Sequence, residues 1–562
     1  MSEPTFFSFP PPPHPDATEW PGTPIGAGNC ITRTKGRTAI HDKTVDCSPG
    51  LHDKLVKSAT DFIESRPPRE TLFHDVIIHG IRVRAQTNSP HLMDFWRDNW
   101  YSVYEWQHIT GLNPPAEPQV MVYAFGGVKG EKEAAYYSRA TNTIAFFNTS
   151  YYGQLKSWVL GAVGRILAEE YGIHSIHGAC VEKDGKGVLY IAPTGTGKST
   201  SSYGLVTYPN SRFHSDDWVY VRYTYQTRDG QRVFLTEIEA NQGSHARGYR
   251  VYRWVESHQD ATDELDAKMT AMTLDNQVVH LRLRDLDLTQ PIKAYAYTSE
   301  KVFYLRTNLV ENFPLSAVEI LRSKAENVPD IDGPFIEKHR SIIDQMKSTL
   351  LDPGNLCAES FRRMPADELD TLCGRLIAFD NARSMLDITR VLPAGRVFSN
   401  PMEPVHLTEV ILLKRNPDDP VVLERLKLDR FMRRLLIGET PEKKREIAYN
   451  AYRAVDDKEE IAFIQKIEAE WERRKGEGEE CSLYRIFCED SDVPKTLYEE
   501  FELFRVMHQA TKCYDLNTNL QKDPTVRNKR EAVERTMCII NRTLEREPET
   551  TYSLHTYHRL IE

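Results

Sequence analysis

A glycine-rich bend between an apolar run and a polar helix start constrains this chain more than any other feature. The stretch "VLYIAPTGTGKSTSSYGL" (residues 188–205) reads as strand, tight turn and helix. Gly195 and Gly197 allow backbone N–H groups to turn inward around phosphate oxygens. In such a loop Lys198 reaches the β- and γ-phosphates and the Ser199 hydroxyl ligates Mg²⁺. A helix starting at Ser199 adds its positive dipole end. Thr194, Gly195, Thr196, Gly197, Lys198, Ser199 and Thr200 are therefore the candidate nucleotide-binding residues. Ala192 stands where the loop pattern usually begins with glycine, a position that asks only for a small side chain. The same residues could make a plain glycine turn. The strand before it and the helix after it favour phosphate binding.

A bound triphosphate needs a metal and an acid. "FHSDDWVYV" supplies Asp216 and Asp217 at the start of a strand about twenty residues downstream. Neighbours on a strand point to opposite faces, so the two share no job unless a bulge turns one. One could hold Mg²⁺ while the other accepts a substrate proton. Read structurally, the pair is a solvated strand entry; beside a phosphate loop the functional reading is favoured. His177, in "IHSIHGAC", sits upstream, where a strand histidine is more often a satisfied core residue. His174 and His177 suggest zinc only weakly, because no cysteine or further histidine has ligand spacing.

At 562 residues the chain exceeds one domain. Residues 1–50 are Pro/Gly-rich, with a run at Pro10–Pro13, and read as a tail. Residues 51–149 read as an N-terminal α/β lobe: a helix in "LHDKLVKSATDFIES", then strands in "DVIIHGIRVRAQT", "QVMVYAFGGV" and "NTIAFFNTS". Residues 150–445 read as the nucleotide-binding domain. It opens with a helix ending at Gly172, then a hairpin turning at "KDGKG" that leads into the loop. About 255–380 is expected to be a helical, charged insert, and 446–562 a helical C-terminal region. A net charge of −10 argues against nucleic acid. Nine dispersed cysteines without a CxxC pair read as reduced thiols. No apolar run approaches the ~18 residues of a membrane span, and the N-terminus lacks the pattern of a secretory signal. A cytoplasmic protein without membrane contact is expected.

"IHGACVEKDGKGVLYIAPTGTGKST…RFHSDDWVYV" resembles the core shared by bacterial HPr kinases and phosphoenolpyruvate carboxykinases, in order and spacing, over about 45 residues. The resemblance implies an α/β fold in which the phosphate loop is set in a mixed, strand-rich domain of carboxykinase type, rather than in a doubly wound parallel sheet. It implies Asp216 in proton transfer, Asp217 on metal, and His177 facing the acceptor or a second metal. Upstream, Lys156 falls at the first of two active-site lysines. Ser157 falls at the second, which in the family helps hold a transition metal. Downstream, Arg390 falls at a catalytic arginine and Thr440 at the adenine-side loop. The departures are equally plain. Ser157 cannot act as the missing lysine, the carboxykinase lid has no counterpart, and Asp217 lies unusually far from Arg390. For the arginine that grips the substrate carboxylate, Arg82 and Arg84 are the only suggestions.

The function expected is an ATP- or GTP-dependent phosphotransferase using Mg²⁺ or Mn²⁺, with a small-molecule or protein hydroxyl as acceptor. The alternatives are a decarboxylating carboxykinase acting on oxaloacetate or a related oxo-acid, and a nucleotide-binding scaffold without catalysis.

Overall fold

The hairpin expected ahead of the glycine bend forms. Ala179–Lys183 pairs antiparallel with Lys186–Ile191, and the turn places Asp184 at φ 51° and Gly185 at φ 74°. Two successive positive φ values match the right-handed twist of the flanking strands. The computed structural model describes residues 50–149, 152–192, 196–206, 208–301, 303–305, 330–354, 357–378, 382–386, 392–438, 457–546 and 551–562, together with a few shorter pieces. They make a mixed α/β protein containing two mixed sheets.

The chain falls into two compact units, Met1–Thr38 with Val302–Val397, and Ala39–Lys301 with Phe398–Glu562. In the first unit Asn29–Arg33 pairs antiparallel with Ala382–Leu386, which pairs with Phe303–Leu305. Helices Arg340–Leu350 and Ala366–Ala378 are tied together through Asp370, which binds Arg340 and Lys347.

The second unit holds both mixed sheets. In the smaller one, Leu72–Ile78 and Ile81–Thr87 form a hairpin, and Ile81–Thr87 then pairs parallel with Val120–Phe125. "DVIIHGIRVRAQT" is thus two strands, not one. His79 at φ 47° and Gly80 at φ 87° reverse the chain inside what alternation alone reads as continuous.

The larger sheet runs Ser211–Ser215, Ala179–Lys183, Lys186–Ile191, Val405–Lys414, Lys293–Tyr297, Trp218–Gln226, Arg232–Glu239, Lys268–Thr273, Val278–Arg282. Lys512–Asn517 adds parallel to the C-terminal half of Val405–Lys414, which is also parallel to Lys186–Ile191. One face of Trp218–Gln226 enters the apolar core through Val219, Val221, Tyr223 and Tyr225, among Phe431, Phe501 and Phe504 from helices.

The region 255–380 is not mainly helical at its start: Lys268–Thr273, Val278–Arg282 and Lys293–Tyr297 are antiparallel strands. "KMTAMT" alternates buried and less buried positions with period two, a pattern its polar residues conceal. The C-terminal region is not purely helical either. It gives the central sheet Lys512–Asn517, directly after helix Lys495–Ala510. In the segment expected as a tail, Asn29–Arg33 and Lys43–Thr44 are strands, while Pro10–Pro13 lie outside the described residues. Among the described residues no helix is long and apolar enough to cross a membrane.

Candidate active site

The glycine bend leaves the sheet at the C-terminal end of Lys186–Ile191, and helix Lys198–Val206 follows. Gly197 takes φ 104°, a conformation that side chains rarely adopt. The helix begins at Lys198 rather than Ser199, within the usual ambiguity of helix ends. Thr194 and Gly195 lie outside the described residues, as do the side chains of Ser199 and Thr200. The loop is braced from the C-terminal region: Thr518 Oγ1 donates to the Thr196 carbonyl at 3.1 Å, just past the end of Lys512–Asn517. Helix Lys529–Glu545 packs on the loop helix so closely that a Cβ at Gly204 would meet Met537 Sδ at 2.5 Å.

His174–His177 pairs antiparallel with Trp218–Gln226, with His177 opposite Trp218. Asp217 is therefore level with Gly178, whose N–H donates to the Asp217 carbonyl at 3.2 Å. A side chain at position 178 would meet Leu189 Cδ1 and the Tyr190 carbonyl at 2.9 Å, so the glycine lets this stretch lie directly against Lys186–Ile191. Asp216 and Asp217 occupy the bend between Ser211–Ser215 and Trp218–Gln226, not the strand itself. Strand alternation therefore does not govern where they point. Both are buried.

The Asp217 carboxylate is the hub. His177 Nε2 lies 2.9 Å from Oδ1 and Lys198 Nζ 3.3 Å from the same oxygen. Lys156 Nζ lies 3.2 Å from Oδ2. Lys198 Nζ is also 3.1 Å from His177 Nε2. One ring nitrogen cannot donate to the carboxylate and accept from the ammonium at once. If Lys198 moved off the ring, the His177 Nε2–H would donate to Asp217. Burial would push the Asp217 carboxyl up, but the Lys156 and Lys198 ammonium groups and His177 hold it well below the usual carboxylate range.

Glu300 completes the cluster and was not found from the sequence. It follows the strand Lys293–Tyr297, and its Oε1 lies 2.6 Å from Lys156 Nζ. Burial raises the Glu300 carboxyl, offset in part by Lys156. For Lys156, burial would lower the ammonium, but Glu300 and Asp217 raise it. The one available signal was a carboxylate ending an otherwise apolar run, "AYAYTSE".

Lys156, His177, Lys198 and Asp217 are thus brought together. Ser157 faces elsewhere: its hydroxyl donates to the Gly153 carbonyl at 2.6 Å, a bond within its own helix. Arg82 and Arg84 both grip Asp75, so neither is a free guanidinium for a substrate. Arg390 and Thr440 lie outside the described residues. Among the described residues no group of three His, Cys, Asp or Glu side chains converges as a ready metal cage. Asp217 and His177 nonetheless supply an oxygen and an imidazole 2.9 Å apart. Two protein ligands suffice for a cation that keeps several waters and takes phosphate oxygens: the Asp217 oxygen fits Mg²⁺ or Mn²⁺, and the His177 imidazole fits a transition metal such as Mn²⁺ rather than Mg²⁺. No family model matches the chain, and no curated protein matches it.

Proposed function

We propose that this chain is a nucleotide-dependent phosphotransferase whose catalytic domain is of the phosphoenolpyruvate carboxykinase and HPr kinase type. One observation carries the reading. The lysine at the start of the loop helix places its ammonium 3.3 Å from Asp217 and 3.1 Å from His177, so a phosphate drawn to Lys198 arrives beside an acid and a base.

In this scheme the amides around Gly197 and the Lys198 ammonium neutralise the β- and γ-phosphates of ATP or GTP. Asp217, His177 and, from its place in the loop motif, Ser199 are the groups that would hold Mg²⁺ or Mn²⁺, which supplies further charge neutralisation. Asp216, buried next to Asp217, accepts the proton of the acceptor hydroxyl. The acceptor oxygen bonds to the γ-phosphorus as the bond to the nucleoside diphosphate oxygen breaks. Lys156, held by Asp217 and Glu300, keeps a second positive charge at the same point.

A second reading, decarboxylation and phosphorylation of an oxo-acid, is favoured by one feature. Lys156, His177 and Asp217 already converge, which is the lysine, histidine and acid set that reading needs. The experiment is an acceptor screen with γ-labelled ATP and GTP, in Mg²⁺ and in Mn²⁺, following label transfer and CO₂ release. Transfer without CO₂ supports the first reading. Manganese-dependent CO₂ release from oxaloacetate supports the second. Tight nucleotide binding with neither product contradicts both.

A further inference from the structure

Arg222 is a buried guanidinium without an acid. It lies on Trp218–Gln226, on the face opposite the apolar core, where Trp218, Tyr220 and Arg222 succeed one another. Tyr297 is the partner of Tyr220 in register, and His177 the partner of Trp218, so the row leads to the proposed active site. Arg222 is 4% exposed. It donates through Nη1 to Asn276 Oδ1 at 3.0 Å, and its Nη2 lies 3.3 Å from His79 Nε2. The guanidinium lies 4.6 Å from the centre of the Tyr297 ring and 5.3 Å from that of Phe234. Among the described residues no carboxylate pairs with it, and its Nε has no hydrogen-bond partner.

The surroundings repeat the deficit. His79 Nδ1 and the hydroxyls of Tyr220 and Tyr297 are buried without partners. Burial and the nearby Arg222 charge hold His79 well below its ordinary pKa, so its imidazole is neutral. A neutral ring that accepts at Nε2 carries its proton on Nδ1, an unanswered donor. Arg222 Nε, His79 Nδ1 and two phenols thus form a set of donors lacking an acceptor. Buried charge of this kind is costly unless paired, and aromatic contacts offset only part of that cost.

We propose that Arg222 anchors a carboxylate-binding subsite, which the His79 imidazole closes in this structure. The imidazole is the place-holder. It stacks on Tyr220 at 4.7 Å between centres and 12° between planes, and meets Tyr297 edge-on at 5.3 Å. A flat group fits that slot where a tetrahedral phosphate does not. A carboxylate in its place meets the Arg222 guanidinium, whose Nη2 faces the ring at 3.3 Å and whose Nε has no partner. His79 sits at the tip of a two-residue turn whose backbone N–H is tied to Ser299 Oγ at 2.8 Å, one residue from Glu300. Withdrawing the turn breaks that bond and vacates the ring's place between Arg222 and Tyr220. Arg222 lies four positions along the strand from Trp218, roughly 13 Å at the usual rise per residue. An acceptor with an acidic end would be held along Tyr220 and Tyr297; that use rests on the phosphotransfer reading, whereas the binding does not.

The test is calorimetric titration of the full chain with oxalate, and separately with inorganic phosphate, without nucleotide or metal. Oxalate is expected to bind in preference to phosphate. Arg222→Met should weaken it about a hundredfold, as loss of a charge-assisted pair implies. His79→Gly should tighten it severalfold by removing the competing ring. The melting temperature of Arg222→Met should equal or exceed that of the parent, because an unpaired buried charge is gone. Equal oxalate affinity in Arg222→Met and the parent overturns the proposal. So does absence of binding to both the parent and His79→Gly, or a variant at Arg222 that melts several degrees lower or fails to fold. ATP affinity, measured in parallel on the parent and Lys198→Ala, decides the nucleotide reading independently of these outcomes.

Discussion

Lys156 Nζ lies 2.6 Å from Glu300 Oε1 and 3.2 Å from Asp217 Oδ2, so one buried ammonium joins two carboxylates from separate strand ends. Neither carboxylate can keep its charge cheaply without it. The Lys156–Glu300 pair ties Glu300, just past the end of Lys293–Tyr297, to the helix Tyr152–Ile166 that carries Lys156.

Removing that ammonium should be strongly destabilising. Lys156→Met leaves two buried acids sharing Lys198 and His177, and breaking a buried pair in this way costs about 3–5 kcal/mol. Urea unfolding should show the loss, and adding Glu300→Gln to the same variant should recover much of it. Equal stability of Lys156→Met and the parent would show that the cluster is not charge-balanced as described.

Gly178→Ala should disturb the site and the fold together. The added methyl meets the Tyr190 carbonyl and Leu189 Cδ1 at 2.9 Å, and the carbonyl cannot move without breaking the hairpin. Overpacking of this kind costs about 1–3 kcal/mol. Thermal melting reads the cost, and nucleotide affinity should fall in parallel because Asp217 is bonded to Gly178 through the backbone.

Glu409 makes stability depend on pH. It is buried on Val405–Lys414, and Thr543 Oγ1 donates to its Oε2 at 2.8 Å. Burial pushes the carboxyl up to about 7, despite the Thr543 bond and the charges of Lys512 and Lys186. The folded chain then binds this proton more tightly than the unfolded chain does. Stability falls as pH rises from the unfolded value near 4.5 through 7, by an amount on the order of 3 kcal/mol. Glu409→Gln keeps an acceptor for Thr543 and removes the titration. Its urea midpoint should exceed that of the parent at pH 8 and approach it near pH 5. A constant difference between the two pH values would contradict this.

Thr518→Val should separate loop geometry from folding. It removes the hydroxyl that lies 3.1 Å from the Thr196 carbonyl and 3.2 Å from the Lys414 carbonyl, and keeps the shape of the side chain. Stability should change by about 1 kcal/mol, while ATP affinity falls severalfold because the loop loses its brace. Unchanged ATP affinity would mean that the C-terminal region does not support the loop.

The hairpin and the loop helix were legible in the sequence because each depends on local pattern, whereas His177 beside Lys198 and Asp217 was expected only from the resemblance. Two adjacent positive-φ residues, an apolar run and a glycine bend are all read within a few positions. Lys512–Asn517 was hidden because it follows a helix without a break and its partner lies about a hundred residues away. Glu300 was hidden for a related reason: its place at the end of "AYAYTSE" is the same for a solvated glutamate, and its partner Lys156 is brought to it only when Lys293–Tyr297 lies beside Trp218–Gln226. The aspartate pair was placed on a strand, where alternation separates the side chains, but a bend removes that constraint.

Lys198 is the group proposed to receive the triphosphate, and the rest of the proposed chemistry follows from it. The direct measurement is ATP and GTP binding, with label transfer to acceptor or to water, by Lys198→Ala beside the parent, and circular dichroism as the control for fold. Lost charge partners at such sites usually slow turnover by a factor of about 10²–10³ or more. The account predicts that binding and transfer fall at least that far while the spectrum and melting profile stay close to those of the parent. Nucleotide binding and transfer at parental levels in a folded Lys198→Ala protein would contradict it.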